Sequence, residues 1–103
     1  MFSDEARQNV QDAVLAELAN AVRNYGAGYH SLHEGYAVLL EEVEEAEDDL
    51  RLINNNLGLL WQSIKSNDLN DTVLLTDIEG TAQLLALEAI QIAAVCAKFK
   101  RGM

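Results

Sequence analysis

"LLEEVEEAEDDL" (residues 39–50) decides how this chain is read. Seven of the ten residues from 41 to 50 are carboxylates, a density that like-charge repulsion opposes on one helix face. The apolar residues around them keep a helical beat. Tyr36, Leu39, Val43, Ala46, Leu50 and Ile53 are spaced by three and four, one stripe of an amphipathic helix. At about 100° per residue, with Leu39 as stripe centre, Glu41, Glu44 and Asp48 fall about 140–200° away. They face water, and Glu47 flanks them. Glu42, Glu45 and Asp49 fall at about −60°, −120° and −80° and form a ridge along one border of the core.

Working outward, Ser31-Leu32-His33-Glu34 reads as a capping box that starts this helix near Leu32. Upstream, Val10, Val14, Leu18 and Val22 recur every four residues. They predict a first helix, capped by Ser3, led by Asp4 and Glu5, and ended by Gly26 and Gly28. Downstream, Asn54-Asn55-Asn56 and Gly58 are poor helix formers. Leu57, Leu60, Trp61 and Ile64 nevertheless keep the spacing, which fits one long helix with a weak point or two with a kink. Residues 66–71 (Ser66-Asn67-Asp68-Leu69-Asn70-Asp71) predict a polar loop. A short helix over Thr72–Glu79, bent at Gly80, leads to a last helix over about Thr81–Lys100 with the stripe Leu85, Ala89, Ile92, Cys96 and Phe99.

The expected fold is all-α: an antiparallel bundle of four to five helices over 1–103, one domain, completed by oligomerisation. Half of the 103 residues are apolar and there is no proline, which favours helix and leaves an apolar surplus for contacts between copies.

The last helix repeats the arrangement of acids. Relative to Leu85, Glu88 falls at about −60° and Gln91 at about −120°. If the two helices pack antiparallel, Glu42 and Glu45 face Glu88 and Gln91. Carboxylates converging in a partly dry space either take up protons or hold a hard divalent cation such as Mg²⁺ or Mn²⁺. The competing reading pairs Glu88 with Arg51 or Lys65 and leaves Glu42 and Glu45 as rim charges.

Charge and composition exclude much else. A net charge of −10 repels polymeric nucleic acid and anionic membranes. The single cysteine, Cys96, forms no internal disulfide and reads as a buried, inert thiol. No Ser/His/Asp set, glycine-rich phosphate loop or C-x-x-C is present, and His30 and His33 lack further metal ligands nearby. The start, Met1-Phe2-Ser3-Asp4-Glu5, lacks a signal-peptide pattern, and the apolar run 84–97 is broken by Glu88 and Gln91 and too short to span a bilayer. The expectation is a cytoplasmic protein with no membrane partner.

The stretches "HEGYAVLLEEVEEAEDDL" and "ALEAIQIAAVCAKF" together resemble the MazG-like all-α nucleoside triphosphate pyrophosphohydrolases. That family carries E-E-x-x-E on one helix and E-x-x-D on a later one. Glu41-Glu42-Val43-Glu44-Glu45 carries the first motif, and Glu88-Ala89-Ile90-Gln91 the second, with Gln91 in place of aspartate. The resemblance covers residues 30–100 loosely and the two motif helices well.

It implies Mg²⁺ (or Mn²⁺) held by Glu42, Glu45 and Glu88, with Gln91 or Asp49 as a further or water-mediated ligand. It implies cleavage of a nucleoside triphosphate to monophosphate and pyrophosphate, and assembly as a homodimer or homotetramer. In that role Glu45 orients the attacking water, and outward-facing Glu41 stands behind it. Lys98 and Lys100, with Arg101, reach phosphates or simply balance the helix end. Trp61 stacks on a base or joins the core or a subunit interface. The glutamine, which ligates without charge, and the asparagine-rich segment between the motifs motivate a second reading: a non-catalytic helical binding or assembly protein with the same fold. An acidic partner for a basic protein ranks third.

Overall fold

The computed structural model describes residues 1–67 and 70–103, and Asp68 and Leu69 of the expected polar loop lie outside them. The described residues form three α-helices: α1 (Asp4–Tyr25), α2 (Leu32–Lys65) and α3 (Asp71–Arg101). The all-α class follows the sequence, but one chain supplies three helices where four to five are expected.

Both predicted serine caps form. Ser3 Oγ accepts from the Ala6 amide and Ser31 Oγ from the Glu34 amide, each at 3.1 Å. Gly26 ends α1 with a φ of 87°, a region open to glycine.

Of the two readings open at residues 54–58, one long helix is the one formed, while the interruption expected at Gly80 is absent. Residues 54–58 stay helical inside α2, and Gly80 stays helical inside α3. Each weak helix former costs a fraction of a kcal/mol, up to about 1 for glycine, which packing against a neighbouring helix offsets. Space around Gly58 and Gly80 is open, so neither glycine is required there by a close neighbour.

α3 is the central element. It packs antiparallel on α2 along most of its length and, through its C-terminal half, parallel on α1, while α1 and α2 do not pack on each other. Near one end of the α2–α3 seam, Ser63 Oγ donates to Asp71. At the other, a Cβ on Gly35 would lie 2.7 Å from the Phe99 ring, so glycine sets the approach of the two helices.

The packed face of α2 corrects the predicted stripe. Its line runs through Gly35, Glu42, Asp49, Asn56 and Ser63 at intervals of seven, with Leu39, Ala46, Ile53 and Leu60 beside them. The seam is therefore turned about 60° from Leu39 toward the acidic ridge. Glu42 and Asp49 lie within the interface rather than on its border. The other half of the apolar band, including Tyr36, Leu50, Leu57, Trp61 and Ile64, remains exposed. On α3, Ala89 of the predicted stripe is exposed, whereas Thr81, Ala94, Val95 and Lys98 are buried. Cys96 is half-buried rather than enclosed.

The result is an elongated, open molecule. Its radius of gyration is 17.5 Å, against about 13 Å for a compact chain of this length. Its accessible surface is 7578 Å², against roughly 5,700 Å² for a compact monomer of this mass. α3 also contains an 18-residue window of mean hydropathy 1.5 with only 17% of it buried. By length and composition alone that helix is long and apolar enough to cross a membrane, a criterion that the core helix of a soluble protein also meets.

Candidate metal centre

Glu42 and Glu45 project from successive turns of α2, and Glu88 from the facing turn of α3. Each offers one carboxylate oxygen, and the three oxygens lie within 4.8 Å of one another. Antiparallel packing of the two long helices is what brings residues so distant in sequence to one place. Glu42 and Glu88 are half-buried, and Glu45 opens to solvent.

The electrostatics of the cluster are unfavourable as it stands. Glu88 Oε2 is buried with no hydrogen-bond partner. The Glu88 carboxyl is raised above the usual carboxylate range, first by the hydrogen bond its protonated form makes with Glu45. Burial follows, then the charges of Glu45, Glu42 and Asp49. Glu42 is raised by burial first, then by the charges of Glu45 and Glu41. Among the described residues no lysine or arginine pairs with them. Arg51 pairs with Asp48 on the outer face of α2 at 2.7 Å, and Lys65 lies 5.5 Å over the Trp61 ring. The alternative pairing of Glu88 with Arg51 or Lys65 is therefore not formed.

Three glutamates whose carboxylate oxygens converge, one of them with a second oxygen buried and unpartnered, are a donor set suited to a hard cation with oxygen ligands. By donor chemistry the residues suit Mg²⁺ or Mn²⁺. Zinc, which favours nitrogen and sulfur, has no histidine or cysteine in this group.

The remaining sequence candidates divide. Asp49 lies in the same seam one turn beyond Glu45, close enough to act on Glu88 through its charge, but outside the three-oxygen group. Gln91 turns toward α1, where its Nε2 donates to Glu17 Oε2 at 2.8 Å. Glu41 is exposed, as its outward angle predicts. Trp61 is also exposed, near the opposite end of α2, and Lys100 is exposed at the end of α3.

Lys98 departs most from expectation. It is 5% exposed, with its Nζ 4.4 Å from the Tyr29 ring centroid and 5.7 Å from that of Tyr25. Sequence reasoning missed Glu17, whose contact spans 74 residues and leaves no local signal. It also missed Tyr25 and Tyr29, although two tyrosines bracketing the Gly26–Gly28 turn are a visible pattern. Compared with known protein-family models, curated proteins and solved structures, the chain matches none.

Proposed function

We propose that the chain is a Mg²⁺-dependent nucleoside triphosphate pyrophosphohydrolase, converting a (d)NTP and water to a (d)NMP and pyrophosphate. The observation that carries this reading is the convergence of Glu42, Glu45 and Glu88 on one point, with a buried Glu88 oxygen left without a partner. The motif resemblance selects the same three residues and supplies the substrate class.

Glu42, Glu45 and Glu88 would hold the metal, with Asp49 as a further or water-mediated ligand. The bound cation supplies positive charge that offsets the triphosphate and the departing pyrophosphate. Glu45, the solvent-open member, would orient a water for in-line attack and accept its proton. Glu41 touches the reaction only through its charge on Glu42. Gln91, held by Glu17, fixes α1 against α3 rather than adding a charged ligand.

Assembly as a homodimer or homotetramer belongs to this reading. The surplus of roughly 1,800 Å² over a compact monomer is the per-partner area of an obligate homodimer. The exposed flank of α2 with Val73, Leu84 and Leu87 of α3 offers an apolar face for a second copy. That covering completes a four-helix or larger bundle between copies. It also supports a cytoplasmic location, with the apolar side of α3 facing protein rather than lipid.

Incubation with a panel of NTPs and dNTPs plus Mg²⁺ or Mn²⁺ is expected to release pyrophosphate, and Glu42→Ala to abolish the release. No turnover on any of them rejects this function.

A second reading, a non-catalytic helical assembly protein, is favoured by one observation: Gln91 is neutral and already engaged by Glu17. It predicts that Mg²⁺ neither binds nor raises the melting temperature. Mg²⁺-dependent stabilisation that is lost in Glu45→Ala rejects it.

A further inference from the structure

We infer that the cleft between the α1–α2 turn and the C-terminal end of α3 binds a small organic monoanion whose negative group is held by Lys98. The cleft has a volume of about 700 Å³, within the usual range for small-molecule sites. Tyr25 and Tyr29 stand on its α1–α2 side, Val38 and Val95 form an apolar wall, and Lys98 lines it.

Lys98 is 5% exposed in a chain of net charge −10; it lines the cleft with an Nζ that is not sealed from solvent, and among the described residues it makes no ion pair and no hydrogen bond. An ammonium held in a partly dry cleft is favoured by an opposite charge at contact distance. The two tyrosine rings hold it through cation–π contact but carry no net charge to cancel its own. Tyr29 cannot become the counter-ion. Its phenol is raised above its ordinary value by burial first, then by the charges of Glu42 and Glu34 and by Cys96, so it stays neutral. The C-terminal end of α3 contributes only the partial negative charge of a helix dipole.

The surroundings narrow the ligand further. Apolar walls suit an aromatic or aliphatic body. Glu34, which also lines the cleft, disfavours more than one negative charge, so a monocarboxylate or monosulfonate fits better than a bare phosphate. The cleft is separate from the carboxylate cluster. Lys98 follows Glu88 by ten residues, about 15 Å along α3. The inference therefore stands whether or not the chain hydrolyses nucleotides.

The test is a titration of the full chain, followed by ¹H–¹⁵N NMR, with benzoate and benzenesulfonate as monoanions, benzamide as neutral isostere and phthalate as dianion. Benzoate and benzenesulfonate are expected to shift the signals of Gly28, Tyr29 and Lys98 saturably. Benzamide is expected to bind at least about tenfold more weakly, as a lost charged hydrogen bond requires. Phthalate should be weaker than benzoate, and Lys98→Met should reduce benzoate binding by the same factor. Equal binding of benzoate and benzamide, undiminished binding by folded Lys98→Met, phthalate binding as tight as benzoate, or no cleft shifts with either monoanion overturns the proposal. The benzoate–benzamide comparison uses the unaltered chain, so it decides the matter even if Lys98→Met fails to fold.

Discussion

Replacing Glu88 by glutamine should stabilise the metal-free protein and abolish its response to Mg²⁺. The three carboxylate oxygens lie within 4.8 Å of one another, and Glu88 Oε2 has no partner. A pair of unit charges at that distance repels by about 3.5 kcal/mol at an effective dielectric of 20 and about 0.9 kcal/mol in bulk water. Glu45 is open to solvent, so screening pulls the sum well below the first figure, and a relief of about 1–2 kcal/mol is expected. For a chain of this length that raises the melting temperature by about 5–10 °C. A glutamine at 88 also reproduces the donor that protonated Glu88 offers to Glu45. The assay is a pair of thermal melts, in EDTA and in excess Mg²⁺, at one fixed protein concentration because assembly shifts the midpoint. A lower midpoint for Glu88→Gln in EDTA, or an unchanged Mg²⁺ increment, would refute the reasoning.

Further outcomes follow from the same geometry. Glu42 and Glu88 titrate above their ordinary range, so the native state holds their protons more tightly than the unfolded chain does. The stability they contribute is complete below the unfolded value of about 4.3 and is lost as pH rises through the raised folded values. In EDTA the melting temperature should therefore fall as pH rises above the ordinary carboxylate range, with a shallower fall in Glu88→Gln; a fall as steep in that variant contradicts the assignment. Gly35→Ala forces a Cβ to within 2.7 Å of the Phe99 ring and should cost about 1–3 kcal/mol in urea unfolding, whereas Gly58→Ala, in open space, should gain about 0.5–1 kcal/mol. Trp61→Lys places a charge on the exposed apolar flank of α2 and should shift sedimentation toward the monomer; an unchanged sedimentation coefficient would place the interface elsewhere.

Much of this architecture is written locally. The caps at Ser3 and Ser31 and the glycine stop at Gly26 depend on neighbours three or four residues away, so the residues alone reveal them. The i, i+3 pair Glu42 and Glu45 and the offset of Glu88 are also local, which is why their convergence could be foreseen. Other features depend on packing that no window contains. Periodicity gives the width of the α2 band but not which half meets α3, so the stripe centred on Leu39 lies about 60° from the true seam. Helix propensity marks residues 54–58 and Gly80 as weak, but packing along α3 carries both stretches as helix. Lys98 reads as a solvated helix end because its burial comes from Tyr25 and Tyr29, more than sixty residues earlier. Gln91 reads as a ligand until Glu17 of α1 claims its amide.

The claim beneath the functional reading is that the seam between α2 and α3, and not the wet face of α2, gathers a divalent ion. Substoichiometric Mn²⁺ added to isotope-labelled protein tests it directly, since the paramagnetic ion broadens the resonances nearest to it. The side-chain signals of Glu42, Glu45 and Glu88 should vanish first, and excess Mg²⁺ should restore them. Broadening centred on Glu44, Glu47 and Asp48, or spread evenly over all the acids, would contradict the account.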